Sequence, residues 1–207
     1  MTLANVCLDD KSCVLFSDTV LCDFTGEEVG RHSKLEVLSH LHCGFIFRGL
    51  AGIHYAAYSF LQGGEVRTFE SAIELLPGVL CESARHFSQR INELGVADAD
   101  RPELGEMLIA GRSSDRTRIQ AFRLSYNIND FMPVELERGV HLAPSPGAAV
   151  PLPKSMTIEQ AIRAACAQRK MMAAQAIECG GGVGIGGHLQ AMEITPDIIR
   201  IKTIHEF

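Results

Sequence analysis

The chain has 207 residues, 46% of them hydrophobic and 21% charged, enough for one globular domain with a substantial core rather than a disordered or fibrous chain. The formal net charge is -6 and the Lys and Arg residues are scattered, so no electrostatic footprint for nucleic acid or anionic lipid is present and neither partner is expected. Seven cysteines, an odd number without a CxxC pair, fit a reducing compartment. With no basic leader and no run of ~20 apolar residues, a soluble cytoplasmic protein is expected.

The first third reads as strands. Leu3 to Leu8 and Cys13 to Ser17 are apolar runs around Asp9-Asp10-Lys11-Ser12, a hairpin signal. Further strands are expected at Val20 to Phe24, Leu35 to Leu38 and Cys43 to Phe47. The period then changes to helical at Ala51 to Leu61 and again at Val79 to Leu94, where Val79, Leu80, Ala84, Phe87, Ile91 and Leu94 share a face. Pro77-Gly78 is expected to divide that second helix from a turn at Glu70 to Leu76.

Strands return at Met107 to Ala110 and Ile119 to Ser125, with a hairpin loop at Ser113 to Arg116, and at Val134 to Glu137 and Val140 to Ala143, joined at Arg138-Gly139. Beyond a proline-rich stretch, Thr157 is a good N-cap for a helix to about Ile177, stopped by glycines. Leu189 to Ile194 and Ile198 to Ile204 close the chain as a hairpin. Strands and helices do not alternate regularly, which points to mostly antiparallel sheets covered by helices, an α+β layered architecture in a single domain over residues 1–207.

Three residues stand out for chemistry: Thr2, which becomes N-terminal if Met1 is removed, with Asp18 sixteen and Lys34 thirty-two residues after it. A hairpin turning about Asp10 and Lys11 sets Asp18 opposite Leu3, one step from Thr2. A free α-amino group, with an ordinary pKa of about 7.7 to 8, is suited to take the threonine proton near neutral pH. Lys34, held charged by Asp18, would lower the pKa of both amine and hydroxyl. A retained Met1 would block that base.

Other motifs carry less. His40-Leu41-His42 has a strand-like alternation that would put both imidazoles on one face near Cys43, but no spacing suggests third and fourth metal ligands. His54, His86 and His188 read as interface or capped surface residues. The run Gly180 to Gly187 follows a helix and precedes a strand, the reverse of a phosphate loop, and reads as a turn. Met171 and Met172 read as a packed helix face.

The offsets of Thr2, Asp18 and Lys34, with Arg48-Gly49-Leu50-Ala51-Gly52 leading into a helix and a late Gly186-Gly187, make the chain resemble the proteasome β-subunit-like threonine hydrolases of the N-terminal nucleophile (Ntn) superfamily, in particular the bacterial proteasome-related peptidases. The resemblance implies an αββα four-layer sandwich and a threonine-type peptidase acting on peptides or proteins without a cofactor. It further implies the Gly49 N–H as oxyanion donor, Ser145 near the nucleophile, a homo-oligomeric ring or double ring, and an ATP-dependent unfoldase as a possible partner. Phe47 would line the pocket for the side chain preceding the cut bond. The family's Gly-Ser-Gly is replaced here by Pro144-Ser145-Pro146-Gly147, and Gly182 and Ile185 stand where active subunits often carry Asp and Ser. These departures favour the alternative of a catalytically silent proteasome-like subunit or scaffold; an amidase for a small substrate is a third reading.

Overall fold

A computed structural model describes residues 2–23, 27–96, 104–126, 130–145, 154–179 and 184–207, with side chains described to residue 176 in the last helix. The first hairpin joins β1 (Ala4–Leu8) to β2 (Cys13–Asp18) in the expected register, Ala4 opposite Ser17 and Leu8 opposite Cys13. Its turn is fixed by Asp9, whose Oδ1 accepts from the N–H groups of Lys11 and Ser12, both at 2.7 Å. The two strands are the centre of a five-stranded antiparallel sheet ordered β10-β1-β2-β11-β12, where β10 is Gly139–His141, β11 His188–Ile194 and β12 Ile199–Glu206.

The second sheet, ordered β5-β6-β7-β8-β9, contains β5 (Leu35–Leu38), β6 (Cys43–Gly49), β7 (Gly105–Arg112), β8 (Ile119–Ser125) and β9 (Pro133–Glu135). A two-stranded ribbon of β3 (Val20–Cys22) and β4 (Glu28–Arg31) stands between Asp18 and Lys34 in the chain. The expected strand from Val20 therefore stops at Cys22, and Phe24 lies outside the described residues. Three helices complete the described fold: α1 (Ala51–Gln62), α2 (Phe69–Glu93) and α3 (Ile158–Cys179).

Packing follows from the alternation of side chains along each strand. Phe45, Phe47, Met107 and Ile109 point to one side of the second sheet, where they meet Ile53, Ala57 and Leu61 of α1 and Phe69, Ala72, Leu76 and Leu80 of α2. Ile46, Leu108 and Ala110 point to the other side and meet Ala4, Val6, Leu15, Met192 and Ile194 of the first sheet. On that sheet's far face, Cys7, Phe16 and Ala191 pack with Ala161, Ala165 and Met172 of α3.

Two expectations are corrected. Pro77 does not divide α2 but lies within it, because Phe69, Ala72, Ile73, Leu76, Leu80 and Ala84 form one buried face running past the proline. Burying that face, at ~1.5–3 kcal/mol for each large side chain, outweighs the ~3 kcal/mol or more that an internal proline costs. The strands before and after Arg138-Gly139 run over Pro133–Glu135 and Gly139–His141 rather than Val134 to Glu137 and Val140 to Ala143, and lie in different sheets: β9 joins β8, and β10 joins β1. Leu136, buried between the two, anchors the crossing by donating its N–H to the Ala121 carbonyl at 2.8 Å.

Candidate functional site

Asp18 ends β2 with its carboxylate completely buried, and four donors converge on it. Oδ1 accepts from the Leu3 N–H at 2.9 Å and from Lys34 Nζ at 3.0 Å; Oδ2 accepts from the N–H groups of Val20 at 3.1 Å and Gly186 at 3.3 Å. A buried carboxylate demands such a set, since an unpaired one costs several kcal/mol. The hairpin register supplies the first donor, because extending it one step past Ala4 opposite Ser17 brings Leu3 beside Asp18. Ser17 fastens the same step from below, donating its Oγ proton to the Leu3 carbonyl at 2.9 Å.

Lys34, 5% exposed, precedes β5 and delivers its ammonium to two acceptors, Asp18 Oδ1 and Thr2 Oγ1, each at 3.0 Å. Burial is the largest influence on both members of the ion pair, pushing the Asp18 carboxyl up and the Lys34 ammonium down from its ordinary value, while their mutual attraction works against both shifts. The outcome is a cation held against a threonine hydroxyl with little water to screen it. That arrangement stabilises negative charge developing on Oγ1.

Thr19 locks the chain beside the acid. Its Oγ1 accepts from the His188 N–H at 2.9 Å, its carbonyl accepts from the His32 N–H at 2.8 Å, and its own N–H donates to Gly186 O. Gly187 has φ +68°, and a Cβ there would stand 2.5 Å from Thr19 Oγ1, so only glycine permits this approach. Ser17, Thr19 and Val20 escaped the sequence reading, since a backbone or hydroxyl contact made across the fold leaves no local pattern. The late Gly186-Gly187 was the one legible signal.

Gly49 ends β6 opposite Gly105, the two with φ +136° and +148°. A Cβ on Gly49 would meet the Gly105 Cα at 2.5 Å and the Leu104 carbonyl oxygen at 2.8 Å. Ser145 lies exposed just beyond β10. The β1 and β10 pairing, Val6 opposite His141, is continued by a hydrogen bond from Ala4 N to Ala143 O at 2.8 Å. Beneath this stretch Asn5 and Gln168 form a buried amide pair, with Asn5 Nδ2 donating to Gln168 Oε1 at 2.8 Å and Gln168 Nε2 donating to Asn5 Oδ1 at 3.0 Å. Gln168 Nε2 also donates to Pro144 O at 2.8 Å, and the Ala143 N–H donates to Asn5 Oδ1 at 3.0 Å.

Phe47 does not line a pocket beside Thr2. Alternation along β6 turns its ring under α1, stacked on the His54 imidazole at 6.1 Å, while Ile46 faces the other sheet. His40-Leu41-His42 is not strand-like: Ser39–Leu41 is a single 3-10 turn and His42 is left-handed, φ 47°. The two imidazoles go to different carbonyls, His40 Nε2 to Leu61 O at 3.1 Å and His42 Nε2 to Thr195 O at 2.7 Å. Of the late glycine run, residues 180–183 lie outside the described residues, and Ile185 is buried against α3. Met1 also lies outside them.

No protein-family model matches the sequence, and no curated protein matches it. Solved structures do. Over 100% of its length the chain is similar to Anbu, described as an ancestral beta-subunit, from Yersinia bercovieri, with TM-score 0.66, 13% identity and 87% of that chain covered. It is similar to an Anbu mutant from Hyphomicrobium sp. strain MC1, with TM-score 0.62 and 14% identity over 99% of this chain and 88% of that one. A second Anbu structure from the same strain gives TM-score 0.61 and 13% identity over 99% and 87%. The chain thus has an α+β fold of the proteasome-related kind. No helix among the described residues is long and apolar enough to cross a membrane.

Proposed function

We propose that the chain is an N-terminal threonine hydrolase, a threonine-type peptidase in which Thr2, freed by removal of Met1, is the nucleophile and Asp18 and Lys34 tune it. One observation carries this reading: the Lys34 ammonium lies 3.0 Å from both Thr2 Oγ1 and Asp18 Oδ1. In the proposed cycle the Thr2 α-amine accepts the Oγ1 proton as Oγ1 attacks an amide carbonyl. Lys34 favours the alkoxide, and the Gly49 N–H receives the oxyanion. The amine then returns the proton to the leaving nitrogen, and water cleaves the resulting ester. Ser145 would hold the α-amine in place.

The three apolar clusters support reading the whole of residues 1–207 as one domain with four layers, helices, sheet, sheet and helix, the αββα sandwich. A homo-oligomeric ring or double ring enclosing the site, peptide or protein substrates, a cytoplasmic setting and an ATP-dependent unfoldase that feeds the chamber belong to the same proposal. The second reading, a catalytically silent scaffold, is favoured by the prolines around Ser145 and by the apolar Ile185 where active relatives often carry a serine.

Intact-mass analysis of the purified protein separates the two. The hydrolase should begin at Thr2 and gain the mass of a threonine-directed covalent inhibitor. Thr2→Ala should lose the adduct and lower turnover by at least about 1,000-fold with folding and assembly unchanged. Persistent Met1 with no adduct would overturn the proposal.

A further inference from the structure

At the end of the second sheet remote from Thr2, a cavity of about 260 Å³ opens between the 3-10 turn, the start of α2 and the β7–β8 turn. Arg67, Arg112, Arg116, His40 and His42 line it, with the hydroxyls of Ser39 and Ser114 and the apolar Leu41 and Phe69. In a chain of net charge -6, three arginines around one small cavity is a local concentration of positive charge. Diffuse surface charge does not produce this, because the groups come from three separate elements.

Three of the five are held in place by backbone carbonyls. Arg112 donates Nη1 to Pro196 O at 2.7 Å, His42 bonds Thr195 O at 2.7 Å and His40 bonds Leu61 O at 3.1 Å. Each bond fixes the orientation of the group that makes it. Arg67 and Arg116 are exposed, and neither takes part in an ion pair among the described residues. Two carboxylates nearby hold the β7–β8 turn. Glu70 Oε1 accepts from the Ser114 N–H at 2.6 Å, and Asp115 Oδ1 accepts from Ser113 Oγ at 2.6 Å and from the Thr117 N–H and Oγ1 at 2.9 and 2.7 Å.

We infer that this cavity is a binding site for a small multiply charged oxyanion, a phosphate or a polycarboxylate. Guanidinium forks match the paired oxygens of either group, and anchoring of Arg112 lowers the ordering cost of binding. The cavity falls below the ~300–1,000 Å³ of drug-sized ligand pockets. It stands about 23 Å from Gly49 along the seven residues of β6, so its occupant does not compete for the proposed catalytic centre.

The test uses full-length Thr2→Ala protein, so its outcome is independent of any hydrolase activity. Inorganic phosphate and citrate are titrated separately at low ionic strength by isothermal calorimetry and by thermal melting. Saturable binding that weakens as NaCl is added is expected, with the melting temperature raised by the ligand. Binding of phosphate alone assigns a phosphoryl ligand, of citrate alone a polycarboxylate, and of both a site that reads charge. Arg67→Gln with Arg116→Gln, two exposed substitutions, should weaken binding at least about tenfold, while Arg90→Gln on α2, paired with Glu93, should leave it unchanged. No saturable binding of either anion, or equal binding by the double variant, overturns the inference.

Discussion

Lys34 sets the chemistry of the proposed centre through its charge. Burial lowers its pKa below the ordinary 10.5, so the ammonium is lost at a lower pH than in an exposed lysine. The rate should therefore fall on the alkaline side through a limb below pH 10.5, and on the acid side as the α-amine protonates, below its ordinary pKa of about 7.7 to 8 because the Lys34 charge lowers it. A pH profile of kcat/KM checks both limbs, and Lys34→Arg should move the alkaline limb upward, since a guanidinium stays charged. Stability tests the pair differently. Asp18→Asn leaves the buried Lys34 charge unbalanced and should cost about 3–5 kcal/mol in denaturant unfolding, whereas Asp18→Asn with Lys34→Met should recover a large part of that loss. If the double variant is as unstable as the sum of the singles, the two groups do not act as a pair.

Between α3 and the first sheet, the Asn5–Gln168 amide pair links a helix to the strand carrying the proposed nucleophile. Gln168→Leu would orphan the Asn5 amide and the Pro144 carbonyl, a loss of about 1–3 kcal/mol for each buried group. Because Pro144 precedes Ser145, the same change should lower kcat with KM little altered; unchanged kcat in folded protein would confine the pair to stability. Neither residue was legible as part of the site, since polar partners 163 residues apart leave no local signal. The β1–β2 hairpin was legible because the apolar alternation and Asp9 specify one register, and with it the approach of Asp18 to the chain terminus. The ribbon strand β4 was not, because Glu28, Val29 and Arg31 are exposed and carry no apolar period. The single helix α2 was hidden behind Pro77, a local breaker that a buried face overrides.

At the scale of the molecule, the outward sides of α1 and α2 expose Tyr55 and Leu75, and Leu94 follows at the end of α2. Exposed apolar residues there fit the proposed self-assembly, which buries such surface between copies. Sedimentation velocity should find a multi-subunit species, and Leu75→Glu should shift it towards smaller ones; a monomer at micromolar concentration would remove the enclosed-chamber part of the proposal. The carboxylate of Asp18 has a meaning for synthesis as well. Its donors arrive from Leu3, Val20, Lys34 and, 168 residues along the chain, Gly186. A growing polypeptide therefore carries an incomplete acid until residue 186 has left the ribosome. In the proposed reading, competence to cut would wait on that residue, and a copy truncated before it would be harmless to its neighbours.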